Sequence, residues 1–255
     1  MTTVRCAALL ILCAAILSAP PSWGEETQRQ KAETLWSQRE DLGKAREAVS
    51  AWEAVLKAQP GDYEALLRLS RLHYWIGQLL EKTDRTVALS EYNAGRQWGS
   101  EAAEASPDKP GGHFFEAANL ARENNLKGTF SNLWGIGTVR GLNEKTDAID
   151  PDYFYRGSDR FFCAMYTKLP GLLGGSTSKA IEHGKKAVAA FPNYVGNRYF
   201  LAEAYFKDGK NELAREQLEA AVATPDDALP DVIPEQRMEK SRAAELLGRI
   251  GKRGK

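Results

Sequence analysis

The sequence predicts an all-α protein: a stack of antiparallel helix pairs closed by one C-terminal capping helix. Three observations predict it. Apolar residues recur at helical spacing in long runs, each ended by Pro or Gly. A spacing of small and bulky residues ahead of a proline repeats several times along the 255 residues. Strand signals are nearly absent, with no stretch alternating apolar and polar residues and no Asn-Gly or Asp-Gly joining two such stretches.

Residues 1–24 read as an export signal. Arg5 supplies the positive start, an apolar run spans Ala7 to Leu17, Pro20 and Pro21 break it, and Ser22-Trp23-Gly24 offers a small-x-small cleavage site. The run is too short to cross a bilayer, which takes about 20 helical residues. Cys13 sits in mid-run and Leu17-Ser18-Ala19 is followed by Pro20, so the sequence has no lipobox. The expectation is a chain that is soluble in the periplasm, or secreted, after cleavage, without a lipid anchor.

Residues 25–250 then form the repeat domain. Ala48, Trp52 and Val55 precede Pro60; Ala94, Trp98 and Ala102 precede Pro107 in a weaker copy; Ala180 and Ala187 precede Pro192; Ala214, Leu218 and Ala221 precede Pro225. Residues three and four apart share a helix face. Alanine there lets a second helix approach, the bulky residue fills the gap, and proline stops the helix. Leu35 belongs to the partner of the first such helix. Tyr63–Gly77 pairs with Val87–Ala105, Tyr153–Lys168 with Ser178–Phe191, and Tyr194–Phe206 with Asn211–Ala223. In the last pair Leu201, Ala202, Tyr205, Ala214, Leu218, Ala221 and Pro225 match the order and spacing of the tetratricopeptide (TPR) repeat, a helix–turn–helix of about 34 residues. The whole is therefore a TPR-like α-solenoid. Glu235–Ile250 closes it, with Glu239, Lys240, Arg242, Glu245 and Arg249 as a charged outer face suited to a terminal helix. Residues 251–255 read as a disordered tail.

Several chemistries lack their residues. Lys plus Arg and Asp plus Glu each number 34, which leaves no basic excess for nucleic acid or an anionic membrane. His73, His113 and His183 do not stand at metal spacing with other ligands. Cys163, the cysteine left after the leader, lies in an apolar run without a basic activating cluster and reads as buried filler. The Gly-rich stretch Leu169–Ser178 lacks the Gly-Lys-Ser/Thr of a phosphate loop; Ser176 or Ser178 is the N-cap of the next helix. Lys127–Gly141, with four glycines, reads as a helix or helix–loop along an internal surface. No Gly-x-Ser-x-Gly or His-Glu-x-x-His is present. Neither catalysis nor a cofactor or metal is expected.

In stacked pairs the first helices line the concave face. Theirs carry aromatics together with a few polar groups, the composition of a ligand or peptide site. The candidate ligand- or partner-binding residues are Tyr74, Trp75, His113, Phe115, Asn119, Arg122, Tyr155, Asp159, Arg160, Asn197 and Tyr199.

Gly157-Ser-Asp-Arg160, Tyr166-Thr-Lys-Leu-Pro170, Gly174-Gly175, Lys179-Ala-Ile-Glu-His183, Ala187, Phe191-Pro-Asn193, Asn197 and Leu201-Ala-Glu-Ala-Tyr205, with His113, Asn119 and Gly128 upstream, resemble the T-component of TRAP transporters. More distantly the region is similar to regulators of microtubule dynamics. The resemblance implies a periplasmic helical-repeat protein with a pore or cleft for a small hydrophobic ligand, associated with the solute-binding protein of a TRAP transporter, and a homotrimer. Members of that family often carry lipid anchors, which this leader does not provide for. The expected function is a non-catalytic binding or scaffold protein serving TRAP-type solute uptake. An envelope adaptor without a ligand pocket and an enzyme acting on envelope polymers are the alternatives; the first predicts an open groove, the second a buried carboxylate in a cleft.

Overall fold

A computed structural model describes residues 23–253, with side chains for 27–128 and 135–251. The predicted leader lies outside the described residues except for Trp23 and Gly24, as do tail residues 254 and 255. Among the described residues there are eleven α-helices and no strand. They are α1 Trp23–Ser37, α2 Leu42–Ala58, α3 Tyr63–Leu80, α4 Arg85–Ala105, α5 Pro110–Lys127, α6 Thr129–Ile149, α7 Tyr153–Lys168, α8 Thr177–Ala190, α9 Val195–Lys207, α10 Asn211–Ala223 and α11 Ile233–Arg253. None of the described helices is long and apolar enough to cross a membrane.

The breaks follow local chemistry. Asp41, Asp62 and Asp84 cap α2, α3 and α4, each carboxylate accepting from the backbone N–H three residues on, at 2.8, 2.7 and 3.0 Å. Ser176 caps α8 in the same way, at 3.3 Å from the Lys179 N–H. The alanines of the repeat spacing, Ala48, Ala102, Ala180, Ala187, Ala214 and Ala221, are all fully buried. Each helix packs on the next, except that contacts thin where α6 hands over to α7. Helices two apart also touch, α3 with α5, α7 with α9 and α9 with α11, as a solenoid requires.

The α4–α5 contact differs from the alanine pattern, which is why its copy of the spacing is weak. Ala94 and Trp98 are only partly buried; glycine makes the notch instead. A Cβ on Gly112 would stand 2.4 Å from the Ala103 backbone N, and one on Gly99 2.6 Å from the Glu116 N. The two backbones therefore touch without room for a methyl group. Gly112→Val is expected to cost about 2–3 kcal/mol by overpacking. Urea unfolding measures it; an unchanged midpoint would show that the backbones are not in contact.

The last helix does more than cap. Gln236 Oε1 accepts from the Val195 N–H at 2.9 Å and so ties α11 to α9. Arg39, in the α1–α2 turn, bonds Glu235 at 2.6 Å, and Arg242 bonds Gln78 of α3 at 3.1 Å. Met238 packs beside the cluster of Ala45, Trp75 and Ile76. The end of the chain thus returns to its first pairs. Glu239 and Arg242, which the sequence reading placed on the outer face of α11, are turned inward and bonded to each other at 2.6 Å; Glu245 and Arg249 are exposed as expected.

Candidate functional site

Between α3, α5, α6, α7 and α11 lies an open-mouthed cavity of about 460 Å³. It forms where α6 hands over to α7 and the packing is thin. Its walls are helix faces read at spacings of three and four. From α7 come Gly157, Arg160, Phe161, Ala164, Met165 and Lys168; from α5, Phe114, Phe115, Ala118, Ala121, Arg122 and Asn125; from α3, Arg71, Tyr74, Trp75 and Gln78. Ile136, Val139 and Asn143 of α6, Glu235, Met238 and Glu239 of α11, and Asn124, Phe154, Tyr194 and Phe200 complete it, with Leu169, Pro170 and Leu173 at one mouth.

The three principal walls run parallel. The Tyr63 and Tyr153 hydroxyls both lie against Gly111, so the starts of α3, α5 and α7 meet. Near the other ends of α3 and α5, Arg122 bonds Gln78 at 3.1 Å and approaches Glu81 at 3.5 Å. The cavity is therefore a trough. From Gly157 to Lys168 the chain advances about 16 Å along the helix axis.

One end is aromatic. Phe114 meets Phe115 edge-on at 5.0 Å between centroids, and Phe154 packs on both, at 5.5 and 5.3 Å. The Arg71 guanidinium lies 5.2 Å from the Phe115 ring centre and 5.3 Å from that of Phe154, within cation–π range. Glu235 is 3.8 Å from it, and its Nε has no hydrogen-bond partner among the described atoms.

Phe154 is placed by an unusual backbone. Phe154, Tyr155 and Arg156 have φ of 46, 58 and 62°, one left-handed turn at the start of α7. Non-glycine residues in that conformation cost roughly 1–2 kcal/mol each. Buried Arg160 secures the turn by donating to the carbonyls of Phe154, at 2.8 Å, and Tyr155, and it is itself held by Asn197 Oδ1 at 2.9 Å. Burial holds the Arg160 guanidinium below its usual pKa, and no carboxylate bonds it directly. The sequence predicted Tyr153–Lys168 as a helix with the observed limits, but nothing in it announced the reversed first turn.

Of the eleven candidate residues, Tyr74, Trp75, Phe115, Arg122 and Arg160 line the trough. The other six lie elsewhere. His113 is buried with Nε2 3.1 Å from the Pro107 carbonyl. Asn119 joins α3 to α5, its amide donating to Phe115 O at 2.8 Å and to Ser70 O at 3.3 Å. Tyr155 stacks on Tyr194 at 4.9 Å and donates to Asp231 at 2.6 Å. Asp159 bonds Arg156 at 3.1 Å and His183 at 2.7 Å, and these partners hold its carboxyl below the usual range against the opposing effect of burial. Asn197 supports Arg160 from behind while donating to the Ala187 and Phe191 carbonyls. Tyr199 donates to Glu203 at 2.8 Å.

The selection from sequence passed over Arg71, Phe161, Met165 and Lys168, although they continue the helical stripes that carry Tyr74, Trp75 and Arg160. Glu235 and Glu239 had no local signal, because α11 arrives from far along the chain. Lys127–Gly141 supplies Ile136 and Val139, so that stretch does face an interior. Cys163 is fully buried, and burial pushes its thiol up to about 12. Among the described residues no group of three or more His, Cys, Asp or Glu side chains could hold a metal ion.

Comparison with known proteins fits this geometry. No curated protein matches the chain. Among solved structures, the crystal structure of TTC0263, a TPR protein of Thermus thermophilus, superposes with a TM-score of 0.61 at 20% identity, covering 86% of this chain and 98% of that one. It shows the TPR-like fold. The crystal structure of MamA superposes more loosely, with a TM-score of 0.41 at 16% identity over 86% and 96% of the two chains. The family described as TRAP transporter T-component matches residues 113–252, from α5 to the end of α11, which include most of the trough. That match spans more than half of the sequence, and the chain belongs to the TRAP transporter T-component family.

Proposed function

We propose that the chain is a non-catalytic, exported binding protein of TRAP-type solute uptake, which engages a periplasmic solute receptor and holds a small apolar ligand in the trough. The observation that carries this reading is the trough itself. Aromatic and aliphatic faces of three parallel helices enclose space of ligand size, with a handful of polar groups among them. An adaptor without a pocket has no use for such space, since a void between helices forfeits packing contacts. The family supports the uptake setting, and the leader read from residues 1–24 supports export.

The test is native mass spectrometry on protein purified without detergent, alone and mixed with the solute receptor of the same cell. A bound apolar molecule released on denaturation, and a complex with the receptor, are expected. Ala164→Trp places an indole in the trough and is expected to abolish the bound molecule while circular dichroism stays helical. Protein that carries no molecule and forms no complex would refute the reading.

A further inference from the structure

The polar groups of the trough are unequally engaged. At the aromatic end Arg71 rests on rings with Glu235 nearby, and Arg160 is committed to backbone carbonyls and Asn197. At the far end Gln78 Oε1 accepts from both Arg122 and Arg242, each at 3.1 Å, and Arg242 also bonds Glu239. Lys168 is the exception. No hydrogen bond or ion pair among the described residues reaches its ammonium. It is exposed and stands at the end of α7, lining the mouth of the trough with Leu169, Pro170 and Leu173. The lining as a whole carries four cations, Arg71, Arg122, Arg160 and Lys168, against Glu235 and Glu239, in a chain with equal numbers of basic and acidic residues. An ammonium at the mouth of an apolar trough, without a partner among the described residues, gains from an anion brought to it.

Resting on the reading that the trough binds an apolar ligand, we propose that this ligand is an amphipathic acid held in one direction, its chain between Phe115 and Phe161 and its acid group on the Lys168 ammonium. Lys168 then selects the charge of the head group. One feature of the wall opposes this. Glu239 Oε2 is buried without a partner, and on its own would favour a cationic head, so the test includes one.

A neutral fluorescent probe, N-phenylnaphthylamine, is bound to the purified full chain and displaced by decanoate, decyl phosphate, decanol or decylamine. The acids are expected to displace it about tenfold more effectively than decanol, as a charge-assisted bond implies. Lys168→Met is expected to remove that preference and leave decanol unchanged. Either acid ranking first supports the proposal and identifies the head group. Decanol equal to decanoate, decylamine ranking first, or a preference that survives Lys168→Met would overturn the Lys168 assignment, provided Ala164→Trp still expels the probe. A probe that does not bind the wild-type trough would overturn the ligand reading, and this proposal with it.

Discussion

Glu235→Ala is expected to lower the stability of the fold by about 3–5 kcal/mol, the loss typical of breaking one side of a buried ion pair. Arg39 is 2% exposed, and its guanidinium lies 4.1 Å from the centre of the Trp36 ring and 5.8 Å from that of Trp75. Glu235 is the carboxylate that meets it, at 2.6 Å. Without Glu235 the charge keeps only the Trp36 carbonyl, at 3.1 Å, and the ring faces. Burial already depresses the Arg39 pKa, with Glu235 opposing that effect. The double variant Arg39→Met, Glu235→Met is expected to recover most of the loss, because two apolar side chains replace two desolvated charges. Urea denaturation of the three proteins decides it. A single variant within about 1 kcal/mol of wild type would mean that α11 returns to the α1–α2 turn without needing this pair.

Trp52→Ala is expected to cost a similar amount, about 3–5 kcal/mol. Trp52 is fully buried among Leu35, Trp36, Ala48, Val55, Leu69 and Leu72, where α1, α2 and α3 meet. Its indole N–H has no partner among the described atoms. Trp52→Phe is therefore expected to lose much less, since it gives up volume but also removes an unsatisfied donor. In a linear stack each pair contacts only its neighbours, so the damage would stay in the first pairs. Here α11 bonds those pairs through Arg39–Glu235, Gln78–Arg242 and Arg237–Glu40. Hydrogen exchange on Trp52→Ala is thus expected to lose protection in α1–α3 and α11 together while α8–α10 remain protected. Loss confined to α1–α3 would show that the return of α11 contributes little.

These two sites differ in how far the sequence announced them. Trp52 stood in the repeat spacing, four residues after Ala48 and three before Val55, and its burial follows from helix geometry alone. Glu235 looked like one more surface charge near a helix start. The trough divides along the same line. Tyr74, Trp75, Phe115, Arg122 and Arg160 were selected for aromatic or polar character on first helices, and all five face it. Asn119 and Asn197 have the same character but are consumed by bonds between neighbouring helices, which a sequence pattern does not distinguish from a site. Tyr155 was diverted by the left-handed turn, which points it to Tyr194 and Asp231.

Apart from the limits of α5 and α6, the sequence by itself determined the helices, roughly where they stop, and the alanine notches through which most pairs meet. Those features depend on residues within about four positions of each other: a capping aspartate, a proline, a small residue one turn from a bulky one. The tertiary structure alone decided that α4 and α5 touch through glycine, that α7 starts with a reversed turn fastened by Arg160, and that α11 comes back to the first pairs. The last of these joins residues 196 positions apart. Its position depends on the curvature summed over every intervening pair, which no local spacing encodes. The trough exists because that curvature brings α11 across the open side of α3, α5 and α7 where the packing between α6 and α7 is thin.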